Sequence, residues 1–389
     1  MHKLSAPFLF LYLSLGLLVS CNSRIKNVFR GERTPHEAYS DRLDDKDLDK
    51  TPAGRQWLAA AEVALQHPHT IQLPYRHHGY FHIDKPRALG LQFEARAGER
   101  ILIQLKKSGS ENFTVFADLF KQNASSTSRI LSADTLQQEF SFDADEAGTY
   151  VLRLQPELFR TGHYSLAIST GPSLSFPVTG SKAKAGSFWG AERDGGKRSH
   201  EGVDIFAPKG TPAVAAADGY VAGVREGGIG GKTVWLRPSG KNYTLYYAHL
   251  DEQLVREGQF VKRGETIGTV GNTGNARSTP PHLHFGIYTF GGAIDPWPYV
   301  NPAERTAPPV AEKKLVNHLK LTKDLKTGDG MLLRANLVLV PLAVTQKDYL
   351  VDIGEGRVAQ TPFNVVKTIE PVKTQNGLAA AAPGKQVTP

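Results

Sequence analysis

The chain has 389 residues, 40% of them apolar, enough to build two to three cored domains. Its formal charge of +8 favours polyanionic surroundings, and with no nucleic-acid-binding motif in the chain it does not by itself indicate nucleic acid. The single cysteine excludes an intrachain disulfide and a structural metal site closed by thiolates, leaving core burial and a non-thiolate metal as sources of stability.

After Met1-His2-Lys3 comes an apolar run, Ala6 to Val19, too short and too terminal for a spanning helix. It reads as an export signal over residues 1–20. The run ends in Leu18-Val19-Ser20-Cys21, which resembles the lipobox of bacterial lipoproteins, where the cysteine is lipidated and begins the mature chain. The competing reading is a free cysteine beside a cleaved signal. Asn22 rather than an aspartate follows, so nothing resembles the inner-membrane retention signal. The resemblance implies an exported lipoprotein, held on the outer membrane by a lipid on Cys21 and facing the periplasm of a diderm bacterium. Removing residues 1–20 takes Lys3 with it and lowers the charge by one, to +7, which suits wall polymers or lipid head groups.

Residues 21–66 read as a polar tether ending in a short helix. Thr51-Pro52 is a cap followed by a first-turn proline, and Trp57, Ala60, Ala61, Ala64 and Leu65 form an apolar stripe. From 67 to 171 the pattern changes to short strands between polar turns: Leu89 to Ala95, Ile101 to Leu105, Phe140 to Asp143, Thr149 to Leu154 and His163 to Ile168. Regular strands with turn signals predict a β-sandwich. Their order is similar to the jelly-roll accessory domains beside secreted bacterial peptidases, notably at Ala147-Gly148-Thr149-Tyr150 and Gly162-His163-Tyr164-Ser165. His67, His69, His77, His78 and His82 invite a second metal site, but no cysteine or ligand spacing supports one, and they read as solvated loop histidines.

A linker at 172–184 leads into a segment, 185–305, whose Val-, Tyr- and Thr-rich strands alternate with glycine turns. Here lie His200-Glu201-Gly202-Val203-Asp204, Tyr246-Tyr247-Ala248-His249-Leu250 and His282-Leu283-His284. On a strand, His282 and His284 share a face, with Cα atoms roughly 6–7 Å apart. One of them can bind an ion while the other faces water or substrate. His200 and Asp204 would stand roughly 13 Å apart if fully extended, so the chain must bend between them, at Glu201-Gly202, with the glycine supplying backbone freedom. Two or three imidazoles with a carboxylate suit a catalytic zinc, which takes three protein ligands and leaves a position open. Gly231-Lys232-Thr233 imitates the end of a phosphate-binding loop, but Glu226 stands where that loop needs glycine, and the glycines there mark a hairpin tip.

Residues about 185–302 resemble the lysostaphin-type zinc endopeptidases of bacterial cell walls. The resemblance runs through HEGVDIFAPKGTP from His200 to Pro212, Val214 to Val221, the Tyr-Ala-His-Leu strand, GQFVKRGETIG from Gly258 to Gly268, Gly271-Asn272-Thr273-Gly274 and Pro281 to Phe285. It implies an antiparallel β-sheet domain with a groove, one Zn2+ held by His200, Asp204 and His284, and His249 and His282 as unligated catalytic histidines. It also implies peptidoglycan as substrate, with the scissile bond open between Gly-Gly bridges and D-amino-acid cross-links. Relatives that lost one of the five residues act as non-catalytic activators of other wall enzymes. All five are present here, so an active peptidase is expected ahead of a silent wall-binding adaptor or an exported peptidase acting outside the wall. With no H-E-x-x-H, no glutamate is placed as base, and His249 and His282 share proton transfer and oxyanion support.

After Ala311, Leu332 to Val340 and Asp348 to Ile353 predict a small β module over 306–376, with an SH3-like barrel as one form. The Ala/Gly/Pro-rich tail 377–389 reads as disordered. The whole is expected to be mainly β: a jelly-roll-like sandwich, a grooved antiparallel domain and a small β module.

Overall fold

The computed structural model describes residues 33–108, 113–124, 126–315, 318–328 and 330–370. The export signal, Cys21 and the tail from 377 lie outside them. The described chain is mainly β, as the strand patterns indicated.

Two antiparallel layers form the sandwich. One runs Leu89–Ala95, Gly148–Pro156, Val115–Gln122, Thr127–Ser132, with His69–Thr70 added parallel at its edge. The other centres on Tyr75–Phe81, Gly162–Pro172, Glu99–Ser108 and Glu139–Asp143. Alternation places Ile101 and Ile103 inward from one layer and Leu91, Phe93, Leu119, Leu152 and Leu154 from the other, all of them buried.

Four expectations are corrected. First, the stretch read as a partly ordered tether holds a full helix: α1 (Pro35–Asp44) begins at a capping box in which Thr34 and Glu37 exchange hydrogen bonds. It docks beside α2 (Pro52–Gln66). His36 stacks on Trp57 at 4.8 Å and meets the Gln155 amide oxygen at 2.7 Å. The Trp57 indole donates to the Pro156 carbonyl at 2.8 Å, which seals both helices onto the sandwich. Second, the segment expected as a linker is packed: Leu174 and Val178 are buried in the next domain's core, and Leu174 donates to the Tyr299 carbonyl.

Third, the C-terminal module is not a separate unit. Its strand Val338–Val344 pairs antiparallel with Tyr75–Phe81, so Val358–Pro362, Asp348–Asp352 and Val338–Val344 continue the sandwich sheet. Arg87 and Lys85 from the sandwich side both reach Asp352, at 3.0 and 2.7 Å. Everything between 172 and 305 is therefore inserted into a body built from both flanks. Its two necks touch, since Thr170 and Arg305 exchange backbone hydrogen bonds.

Fourth, the histidines of 67–82 are not all solvated. His67 and His78 are exposed, but His77 is fully buried on the inward face of Tyr75–Phe81. Its Nδ1 meets the Tyr75 hydroxyl at 3.0 Å, while its Nε2 has no hydrogen-bond partner. Burial holds this imidazole down to about 3, against about 6.5 in an unfolded chain. The folded state thus binds the proton less readily, and stability falls as pH drops from about 6.5 toward 3, by up to about 1.4 kcal/mol per pH unit. In His77→Leu the thermal midpoint should fall less steeply between pH 6 and 4 than in the parent, and parallel curves would show that His77 is not the group responsible.

The inserted domain is built on one antiparallel sheet ordered Lys184–Ser187, Val203–Phe206, His282–Thr289, Tyr243–Gln253, Lys232–Pro238, Gly219–Arg225, Phe260–Val261. The sandwich docks at the far end of its central hairpin, where Lys241 contacts Asp145 at 2.6 Å. His249 lies eight residues further along, in the same strand that starts at Tyr243.

Candidate metal centre

Register brings the site together. In adjacent strands Asp204 stands opposite His284, and Phe206 opposite His282. Val203, Ile205, Leu283, Phe285 and Ile287 are fully buried in the core, so strand alternation sends Asp204, His282 and His284 to the other face. The next strand places Ala248 opposite His284, and His249 follows it.

His200 arrives from outside the sheet. The short strands Glu192–Arg193 and Arg198–Ser199 pair as a hairpin, and its second arm runs straight into His200. Backbone bonds to Ala191 and from Gly190 hold the residue, at 2.8 and 2.9 Å. The bend expected at Glu201-Gly202 is present, but the glycine serves space rather than an unusual dihedral. Its φ lies outside the left-handed region, and a β-carbon there would stand 2.6 Å from both His284 Cε1 and the Phe285 carbonyl.

The resulting donor set is tight. His200 Nε2 lies 2.9 Å from Asp204 Oδ1 and 3.0 Å from His284 Nδ1, and His284 Nδ1 lies 3.0 Å from the same carboxylate oxygen. His200 Nδ1 donates to the Phe188 carbonyl at 2.9 Å, so a neutral His200 turns the lone pair of Nε2 toward the cluster. Burial pushes the Asp204 carboxyl up, but the His200 and His284 imidazoles beside it outweigh that and hold the group well below the usual carboxylate range. Burial keeps His284 below the usual imidazole range, which favours the neutral, ligating form. The three donor atoms stand close enough to share one cation, and two imidazoles with one carboxylate are a donor set that suits zinc. Among the described residues this is the one such cluster of three His, Cys, Asp or Glu.

The other two histidines stand beside it. The His249 and His282 rings lie 5.1 Å apart, and His249 is 5.9 Å from His284. His282 Nε2 is 3.9 Å from Asp204 Oδ1, too far to share the cluster's contacts. Each fixes its tautomer on a carbonyl: His249 Nδ1 donates to Thr273 and His282 Nδ1 to Pro280, at 2.9 and 2.8 Å. In the neutral tautomer these bonds select, each ring carries its lone pair on Nε2. Burial, then the neighbouring His282 and His284, hold His249 down to about 4, so it is a neutral proton acceptor at neutral pH. His249 sits at φ +62°, rare for a residue with a side chain and a form of strain that gathers at functional sites.

All five side chains line one open cleft of about 790 Å³ whose walls come from the inserted domain alone. Beyond His284 the floor turns aromatic: Tyr246 packs 5.9 Å from His284 and 4.3 Å from Trp235, which in turn meets Tyr288 at 5.4 Å. The motifs did not reveal Trp235, Tyr288 or Arg193, which also border the cleft. Strand alternation from His284 through Gly286 to Tyr288 was the signal available for the second of these.

The family described as Peptidase family M23 matches residues 198–296. An uncharacterized metalloprotease of Haemophilus influenzae is 42% identical over 118 residues, which cover 30% of this chain and 24% of that protein. The L-Ala–D-Glu endopeptidase of Bacillus subtilis is 37% identical, covering 31% of this chain and 40% of its own length. The peptidoglycan DD-endopeptidase ShyC of Vibrio cholerae is 35% identical, covering 36% and 31%. The chain thus spans from about a quarter to two fifths of these curated relatives. Among solved structures, the catalytic domain of lysostaphin from Staphylococcus simulans is 33% identical, covering 31% of this chain and 92% of that one, with a TM-score of 0.28.

Proposed function

From the M23 peptidase domain carried at residues 198–296, we propose that this chain is a zinc-dependent endopeptidase that hydrolyses peptide bonds in the cross-links or stem peptides of peptidoglycan. The observation that carries the reading is the meeting of three donor atoms within 3.0 Å of one another beside two imidazoles whose Nδ1 atoms are both engaged by carbonyls. His200, Asp204 and His284 would hold the ion. Zinc bound there supplies a Lewis acid and lowers the pKa of a water from 15.7 to about 7.

The remaining steps belong to the protein. His249 and His282 each offer an Nε2 to the proton released by the attacking water, and either imidazolium can return it to the departing amine. Such transfers contribute typically 10²–10⁴-fold. An N–H of the protonated partner can meet the oxyanion of the tetrahedral intermediate. The cleft is open to solvent, and its Trp235–Tyr246–Tyr288 floor offers an extended aromatic surface for a substrate peptide. Names of relatives from Vibrio cholerae and Bacillus subtilis support a wall-peptide substrate. The lipobox-like Leu18-Val19-Ser20-Cys21 supports delivery by a lipid on Cys21 to the periplasmic face of an outer membrane, where sacculi are within reach of a tethered enzyme.

The test is digestion of isolated sacculi by the full chain, with products read by mass spectrometry. Expected is release of muropeptides cut at a peptide bond, abolished by chelator and restored by added zinc. Turnover indifferent to chelator, or cleavage of glycan instead, overturns the reading. Binding to sacculi without any cleavage would assign the chain to the adaptor role.

A further inference from the structure

We infer that Arg193 is a positioning residue for the metal centre, fixing which oxygen of Asp204 faces the ion. This rests on the proposed zinc site. Asp204 uses its two oxygens differently. Oδ1 meets His200 Nε2 and His284 Nδ1, whereas Oδ2 accepts from Arg193 Nη2 at 2.8 Å. The same Arg193 nitrogen donates to Ser187 Oγ at 2.7 Å, and Ser187 stands opposite Asp204 in the adjoining strand, with its Oγ 3.4 Å from His200 Nδ1. Arg193 thus ties together the supports of two of the three donors.

Its own placement is also determined. Arg193 lies on the first arm of the hairpin whose second arm leads into His200, paired across it with Arg198. One hairpin therefore delivers a donor and the group that orients another donor. The Asp204 side chain is 10% exposed and that of Arg193 32%, so the pair is partly withdrawn from water, unlike a fully exposed surface ion pair. With Oδ2 engaged, the carboxylate presents one oxygen to the cluster, which preserves an open position for water and substrate. Partners of this kind hold ligands in orientation, and their loss costs typically 10–100-fold in metal affinity.

The experiment titrates zinc alone into the metal-free full chain against a chromophoric chelator, and records the visible spectrum after cobalt substitution. Arg193→Ala should bind zinc about 10–100-fold more weakly. Its cobalt bands should weaken as the released Oδ2 raises the coordination number. Arg193→Met keeps the aliphatic stem, so a loss shared by both variants belongs to the missing N–H donors. Circular dichroism of the metal-free variants should match the parent. If the parent binds zinc and both variants bind it equally well with unchanged spectra, the inference fails while the zinc site stands. If the parent binds no zinc, the function proposed above fails first.

Discussion

Asp204→Ala is expected to give a folded chain that holds no zinc and does not digest sacculi. The residue supplies the only carboxylate of the cluster, and its Oδ1 is the atom that both His200 and His284 approach within 3.0 Å. Without it, two imidazoles remain, 3.0 Å apart, and Arg193 adds an uncompensated positive charge beside them. Two neutral donors next to a guanidinium make a poor site for a dication. Losing the ion removes several kcal/mol of transition-state stabilisation, about a thousand-fold or more in rate. Elemental analysis should show zinc falling to background, while circular dichroism stays that of the parent because the core beneath the strand keeps Val203 and Ile205. Full turnover in this variant would remove Asp204 from the centre.

The second large effect is at His249, and its signature is different. His249→Asn should retain stoichiometric zinc and lose 10²–10⁴-fold in kcat. Asparagine is the informative replacement because it tolerates the left-handed backbone that His249 adopts at φ +62°. The loss then reports the imidazole rather than a collapsed turn. His282 stands 5.1 Å away and its own Nδ1 is committed to Pro280, so it can take over only part of the proton traffic. Combining His249→Asn with His282→Asn should therefore cost less than the product of the single effects, as for groups that act as a unit. An unchanged kcat excludes His249 from the chemistry, and zinc lost along with kcat would make it a ligand.

The part of the site that could be read in the sequence is the part that depends on period-two geometry. His282 and His284 two apart, flanked by Leu283 and Phe285, place two imidazoles on the exposed face of any strand with a buried reverse side. The same logic was available for Tyr75, His77, Gly79 and Phe81, where the inward row contains a histidine. It was missed because a crowd of five histidines reads as polar. Thr34-Pro35-His36-Glu37 carries the same opening as Thr51-Pro52, yet the acidic run after it resembles a tether, and contacts made across the fold, such as those of His36 and Tyr39 with Trp57, make it a docked helix. Arg193 was hidden for another reason. Its value depends on which oxygen of Asp204 is left over, a fact of side-chain direction with no trace in spacing. The union of Val338–Val344 with Tyr75–Phe81 joins segments some 260 residues apart, and no local pattern encodes such a partner.

The touching necks at Thr170 and Arg305 have a mechanical consequence. Tension applied between the N-terminal end and the C-terminal module would run through Tyr75–Phe81 and Val338–Val344 and bypass the inserted domain. Load carried by these paired strands would pass around the cleft of the inserted domain rather than through it.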